Sequence, residues 1–267
     1  MKRTPFTALG ALATLLLSAS ACQPDQPATQ PPAAAPPAAT SSPASPPAPG
    51  AGGDTLHLPD GRVVQLRAIP ADTFYRLPFS GLPELVNEPT AEHLPAEQGR
   101  LTRQGRTLRL QPAQGAEVRL VSAPEAQLAR QNGEGVRYLY WGSLPAAHQW
   151  AVRAWASEVS TTVLVDQRTG HQLAALPGAP VAAPDGHLVL FISPGLGGSE
   201  QPNMLSLVQV TAGGARLRWQ IEPTTWEPVE ARWVASGRVV LKRRHTLPDG
   251  RMADDARVTY DELMLPR

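Results

Sequence analysis

The spacing of apolar positions divides the 267 residues into three stretches. Phe6 to Leu17 is an unbroken apolar run, and Gln23 to Gly53 holds no aromatic or large aliphatic residue. From Asp54 onward apolar residues come in short bursts, many alternating with polar ones, which is the period of half-buried strands. Thr55 to Arg67 predicts a hairpin: Leu56 and Leu58 alternate before Asp60-Gly61, and Val64 and Leu66 after it. Leu101 to Leu110 predicts a second hairpin around Gln104-Gly105, followed by a short strand from Glu117 to Val121. Residues 69–99 are rich in proline and predict loops with one helical turn. Ser122-Ala123-Pro124-Glu125 has the spacing of a capping box, which predicts a short peripheral helix running to Gln131 and ended by Asn132-Gly133.

Beyond Gly135 strands dominate. The pattern places them at Val136–Trp141, Gln149–Trp155, Thr161–Asp166, Gln172–Leu176, His187–Ile192, Leu205–Val210, Leu217–Ile221, Ala231–Val234 and Val239–Lys242. Turn residues separate them at Arg168-Thr169-Gly170, Pro184-Asp185-Gly186, Gly213-Gly214 and Ser236-Gly237. The expectation is an all-β fold of antiparallel sheets, propeller-like or sandwich, with one short peripheral helix. Residues 54–134 form an N-terminal hairpin region and 135–267 a β-repeat region. An internal echo supports repetition. Pro180-Val181-Ala182-Ala183 followed by Gly186 to Leu190 matches Pro228-Val229-Glu230-Ala231 followed by Gly237 to Leu241. Val165 to Gly170 likewise echoes Val208 to Gly213. A period in the forties suits four-strand propeller blades. Ala183-Pro184-Asp185-Gly186 with the strand His187 to Phe191 resembles the repeat of bacterial WD40-like propellers, which implies a ring or an open stack of such sheets.

The first stretch has the layout of an export signal: Lys2 and Arg3, the apolar run, then the small residues Ser18 to Ala21 before Cys22. A twelve-residue helix spans only about 18 Å, well short of a ~30 Å hydrocarbon core. Residues 1–21 are therefore expected to be removed as a signal peptide. Ala19-Ser20-Ala21-Cys22 resembles the lipobox of bacterial lipoproteins, although Ala19 stands where leucine is usual. The resemblance implies lipid on the Cys22 thiol, cleavage before it, and an acyl chain such as palmitate on the new amino terminus. Cys22 is also the chain's one cysteine, and a lone thiol in an oxidising compartment calls for a reason. Residues 22–53 then read as a lipid-anchored linker. Their proline and alanine favour extended chain that reaches at most about 95 Å.

Charge narrows the partners. Loss of Lys2 and Arg3 leaves 22 basic residues against 23 acidic ones, so no strong positive field attracts nucleic acid. The run Lys242-Arg243-Arg244-His245 reads as a solvated strand end, and Asp249 to Asp255 as a polar hairpin loop. The sequence holds no phosphate-binding loop, no nucleophile elbow, no zinc signature and no closely spaced histidine pair. No catalytic residue, metal ligand or cofactor is therefore assigned. The tryptophans fall into two groups, Trp141/Trp150/Trp155 and Trp219/Trp226/Trp233. They read as repeated core positions, with an aromatic binding face as the alternative. Glu222, Glu227 and Glu230 lie in what reads as a loop beside Trp219, Trp226 and Trp233, the best constellation for a sugar site. The expected function is a non-enzymatic β domain, anchored to a membrane in the periplasm or at the cell surface, that binds a protein or glycan of the envelope. The alternatives are a glycan hydrolase with fold-assembled carboxylates and a structural component of an envelope complex.

Overall fold

A computed structural model describes residues 54–83, 97, 99–128, 135–156, 159–198, 200–247, 249–252 and 256–265. The expectations for the signal, for Cys22 and for the linker lie outside these residues. Among them the strands form four antiparallel sheets. Strands β3 (Leu101–Gln104), β4 (Thr107–Leu110) and β5 (Val118–Val121) make the smallest. The next holds β6 (Arg137–Leu144), β7 (Gln149–Ala156), β8 (Val159–Asp166) and the two-residue β9 (Leu176–Pro177). The third holds β10 (Ala179–Ala182), β11 (Leu188–Ser193), β12 (Met204–Thr211) and β13 (Gly214–Ile221). The last combines the two ends of the described residues. Its order runs from the hairpin β1 (Thr55–His57) and β2 (Val63–Ala68) through β16 (Val258–Met264) and β15 (Arg238–His245) to β14 (Trp226–Ala235).

Three apolar cores join these sheets, each between neighbours in the chain. The first packs Leu101, Leu108 and Leu110 against Trp150, Val152 and Val165. The second packs Ala151 and Leu164 against Val189, Phe191 and Val208. The third packs Leu190, Leu205 and Trp219 against Trp226, Trp233, Leu241 and Leu263. An inner sheet is thus buried on both faces. Successive residues of β11 alternate between two cores, which is why 188–192 reads as an unbroken apolar run. The last sheet buries its inner face in the third core, and helix α1 (Ala71–Arg76) covers part of its other face. Phe74 is fully buried beside Tyr260, and β15 carries three successive buried residues, Val239, Val240 and Leu241.

The internal echo falls on equivalent strands. Pro180 and Pro228 stand in β10 and β14, each an edge strand of its sheet, and the matched apolar runs form β11 and β15. The third sheet fills in chain order, and the hairpin β1–β2 joins the last sheet through β16.

Several expectations need correction. Strands β10 and β16 were not foreseen, and Glu227 and Glu230 lie within β14 rather than in a loop. A proline argues against a strand, yet an edge strand tolerates the missing donor. The segment 172–176 forms only a bridge from Gln172 to Val165 before β9. Among the described residues two α-helices are present rather than one, with a 3-10 turn at Pro145–Ala147. Helix α1 (Ala71–Arg76) is the helical turn expected in the proline-rich stretch, and it stops at Leu77, whose extended backbone precedes Pro78. Helix α2 (Glu125–Leu128) forms without the capping box. The Ser122 hydroxyl instead accepts the Tyr138 amide at 3.0 Å, and Glu125 pairs with Arg137 at 2.8 Å. Its expected continuation to Gln131 lies outside the described residues.

Candidate functional site

The six residues weighed as a sugar platform do not share a surface. Trp219, Trp226 and Trp233 are all buried in the core between the third and last sheets. Trp233 donates its Nε1–H to the Val181 carbonyl at 3.0 Å, while the buried Trp219 Nε1 finds no partner among the described residues. Glu227 is buried as well. Its Oε1 accepts from Arg244 Nε at 2.7 Å and its Oε2 from the Leu196 amide at 3.0 Å, so it ties the glycine-rich loop at 195–198 to β14. Glu230 holds Arg232 at 2.7 Å, and Arg232 in turn donates to the Leu77 carbonyl at 2.8 Å beneath α1. Glu222 is exposed just beyond β13. Of the other tryptophans, Trp141 and Trp150 are buried and Trp155 is 43% exposed.

The basic run on β15 is not a solvated strand end. Arg243 is 1% exposed. Its Nε donates to Asp261 at 2.8 Å and its Nη2 to Asp54 at 3.1 Å, while the guanidinium lies 4.9 Å from the centre of the Trp226 ring. Thr259 donates its hydroxyl proton to Asp261 at 2.7 Å, so the His245 Nε2 at 2.9 Å must be the donor to Thr259. Burial, then the positive charges of Arg243 and Arg257, hold the His245 pKa below its usual value. Arg243 and Asp261 are thus paired inside the sheet, while the buried Nη1 of Arg243 meets no acceptor among the described residues. A second network surrounds Glu97, whose carboxylate accepts from Tyr140 at 2.5 Å, from Trp150 at 3.0 Å and from Ser143. Burial works against the Glu97 charge, but the Ser143, Tyr140 and Trp150 donors outweigh it and lower its pKa. On the outer face of the last sheet the Tyr75 and Tyr260 hydroxyls meet at 3.0 Å, and this bond pushes the Tyr260 pKa up to about 12.

One groove holds two charged side chains that no ion pair among the described residues engages. A groove of about 400 Å³ continues the core between the third and last sheets to the surface. Asp185, His187, Leu188, Gln209, Arg218 and Ser236 line it, with Gly237 and Leu265 beside them. Asp185 sits in the turn between β10 and β11, where its Oδ1 accepts the His187 amide at 3.1 Å. Burial works against the Asp185 charge, but the Ser236 hydroxyl and the His187 amide hold its pKa below the usual carboxylate value. Gly186 keeps this turn close to the neighbouring sheet: its φ is +71°, and a Cβ there would overlap the Ala146 carbonyl. Arg218 reaches the groove through a β-bulge. Leu207 faces Trp219 and Val208 faces Leu217, so Arg218 is the extra residue between them. Neither Asp185 nor Arg218 forms an ion pair among the described residues, and the two are not paired with each other. None of these groove residues was singled out as a site residue in the sequence. The turn motif Pro184-Asp185-Gly186 was visible, but the bulge that aims Arg218 has no sequence signal.

Among the described residues no three His, Cys, Asp or Glu side chains converge on a point that could hold a metal ion. No described helix is long and apolar enough to cross a membrane. No protein family and no curated protein matches the chain. A solved structure of a protein from Lactobacillus plantarum is similar over 57% of this chain and 50% of its own, at 14% identity and a TM-score of 0.28. The chain thus spans about half the length of that protein, and a likeness at this level carries no argument about function.

Proposed function

We propose that this protein is a bacterial envelope lipoprotein whose β domain binds an envelope protein or glycan and catalyses no reaction. The observation that carries the anchor is the lone Cys22, placed directly after a short apolar run and a stretch of small residues. Cleavage before Cys22 frees an amino terminus that is acylated, and the lipid holds the chain to a membrane. The proline-rich linker lifts the domain off that surface. Binding is favoured over glycan hydrolysis by the groove. Hydrolysis needs two carboxylates flanking one bond, and Asp185 alone among the groove's lining residues carries one.

The test is fractionation and co-purification in the native host. Wild-type protein is expected in the membrane fraction, labelled by palmitate and bringing down an envelope component. Cys22→Ser is expected to be exported, soluble and folded. Membrane retention of an exported, cleaved Cys22→Ser protein would contradict the lipid anchor. A clean isolation with no partner would contradict the binding reading.

A further inference from the structure

We infer that the groove between the third and last sheets takes the free end of a short peptide or amino acid, a ligand that carries both an ammonium and a carboxylate. The inference rests on the reading of the domain as a binding module and names the chemistry that one site would recognise. Charge state is the starting point. Asp185 accepts one backbone amide, interacts with the Ser236 hydroxyl and lies in the field of the His187 ring, yet a carboxylate has about four lone-pair sites, so acceptor capacity remains. Arg218 is half-buried and has five N–H donors in a planar fork suited to a carboxylate. Asp185 is exposed and Arg218 half-buried, so water satisfies both charges in the free protein and each can exchange that water for a ligand group of opposite charge. A fold that needed these charges for stability would pair them with each other. It does so with Arg243 and Asp261, and with Arg244 and Glu227.

The rest of the lining fits the same ligand. Gln209 offers its Oε1 to Arg216 at 3.1 Å, which leaves its amide N–H groups to donate to a peptide carbonyl. Leu188 and Leu265 supply apolar surface for a small side chain. The volume of about 400 Å³ lies within the range of small-ligand sites, about 300–1,000 Å³. The two charged groups come from devices that aim side chains: a turn whose glycine touches the neighbouring sheet, and a bulge. A carboxylate on Arg218 and an ammonium on Asp185 would neutralise both at once.

Calorimetric titration of the full chain carrying Cys22→Ser tests this, with alanyl-alanine, its N-acetyl form and its C-terminal amide as probes. Alanyl-alanine should bind saturably, and blocking either end should weaken it by about tenfold or more. Arg218→Gln should weaken the free dipeptide while leaving the C-terminal amide unchanged. Asp185→Asn should weaken the free dipeptide while leaving the N-acetyl form unchanged. Equal binding of all three probes, no saturable binding of the free dipeptide, or indifference to both substitutions would overturn the inference. If a native partner co-purifies while the dipeptide does not bind, the peptide-end inference falls and the broader binding reading stands.

Discussion

Two arginines on adjoining sheets meet opposite fates. Arg243 lies inside the last sheet with Asp261, Asp54 and the Trp226 ring around it. Arg218 lies on the third sheet at the edge of the same core, in a groove that also holds Asp185, and pairs with nothing described. The first is fully desolvated, so its counter-charges are obligatory: one buried charge without them costs several kcal/mol. The second keeps contact with water, which lowers the cost of leaving it open. Paired and buried charge marks what holds this fold together. Unpaired charge in a concave, partly wet place marks where something else can bind.

The largest effect should come from breaking the pair of Arg243 and Asp261. Arg243→Gln leaves Asp261 buried without its cation and should lower the unfolding free energy by about 3–5 kcal/mol in urea titration. Retention of wild-type stability would mean that the pair contributes nothing. Acid tests a second paired carboxylate. Asp166 has a fully buried side chain. Burial opposes its charge, but Arg168 and the amides of Arg168 and Thr169 lower its pKa from 3.8 to about 2. A lowered pKa means stability present above pH 3.8 and lost as pH falls towards 2, here about 2 kcal/mol. His245 acts in the same direction at higher pH, because its depressed pKa makes protonation unfavourable to the folded state. Asp166→Asn should remove the lower of these two losses from a pH series of thermal melts. Gly186→Ala comes next. Its positive φ and the clash with Ala146 should cost about 1–3 kcal/mol and displace Asp185 in the groove. The smallest effect on stability should be that of Arg218→Gln, within about 0.5 kcal/mol of wild type.

The all-β class and most strands were legible because their apolar positions alternate or run together between good turn residues. The internal echo was legible too, and it falls on the edge strand and its neighbour in successive sheets. What was hidden has physical causes. Strand β16 carries Asp261 and Glu262, both buried because arginines from neighbouring strands cover them, so its pattern reads as polar. The start of β14 was hidden by Pro228, which only an edge strand accommodates. Proximity in sequence suggested that Glu222, Glu227 and Glu230 act together with the nearby tryptophans. Strand alternation and the partners each glutamate finds separate them instead. The preference for core over platform in reading the tryptophans agrees with five of the six rings, since Trp155 alone is substantially exposed. The groove needed three segments far apart in the chain: the turn at 184–186, the bulge at Arg218 and the turn at Ser236. No local pattern announces such a meeting.

The most direct test sets the two arginines side by side in the full chain, measuring unfolding free energy in urea for Arg218→Gln and Arg243→Gln under one set of conditions. The account predicts a near-neutral change for Arg218→Gln and a loss of about 3–5 kcal/mol for Arg243→Gln. A loss for Arg218→Gln as large as that for Arg243→Gln would contradict it, because the groove arginine would then be part of what holds the sheets together.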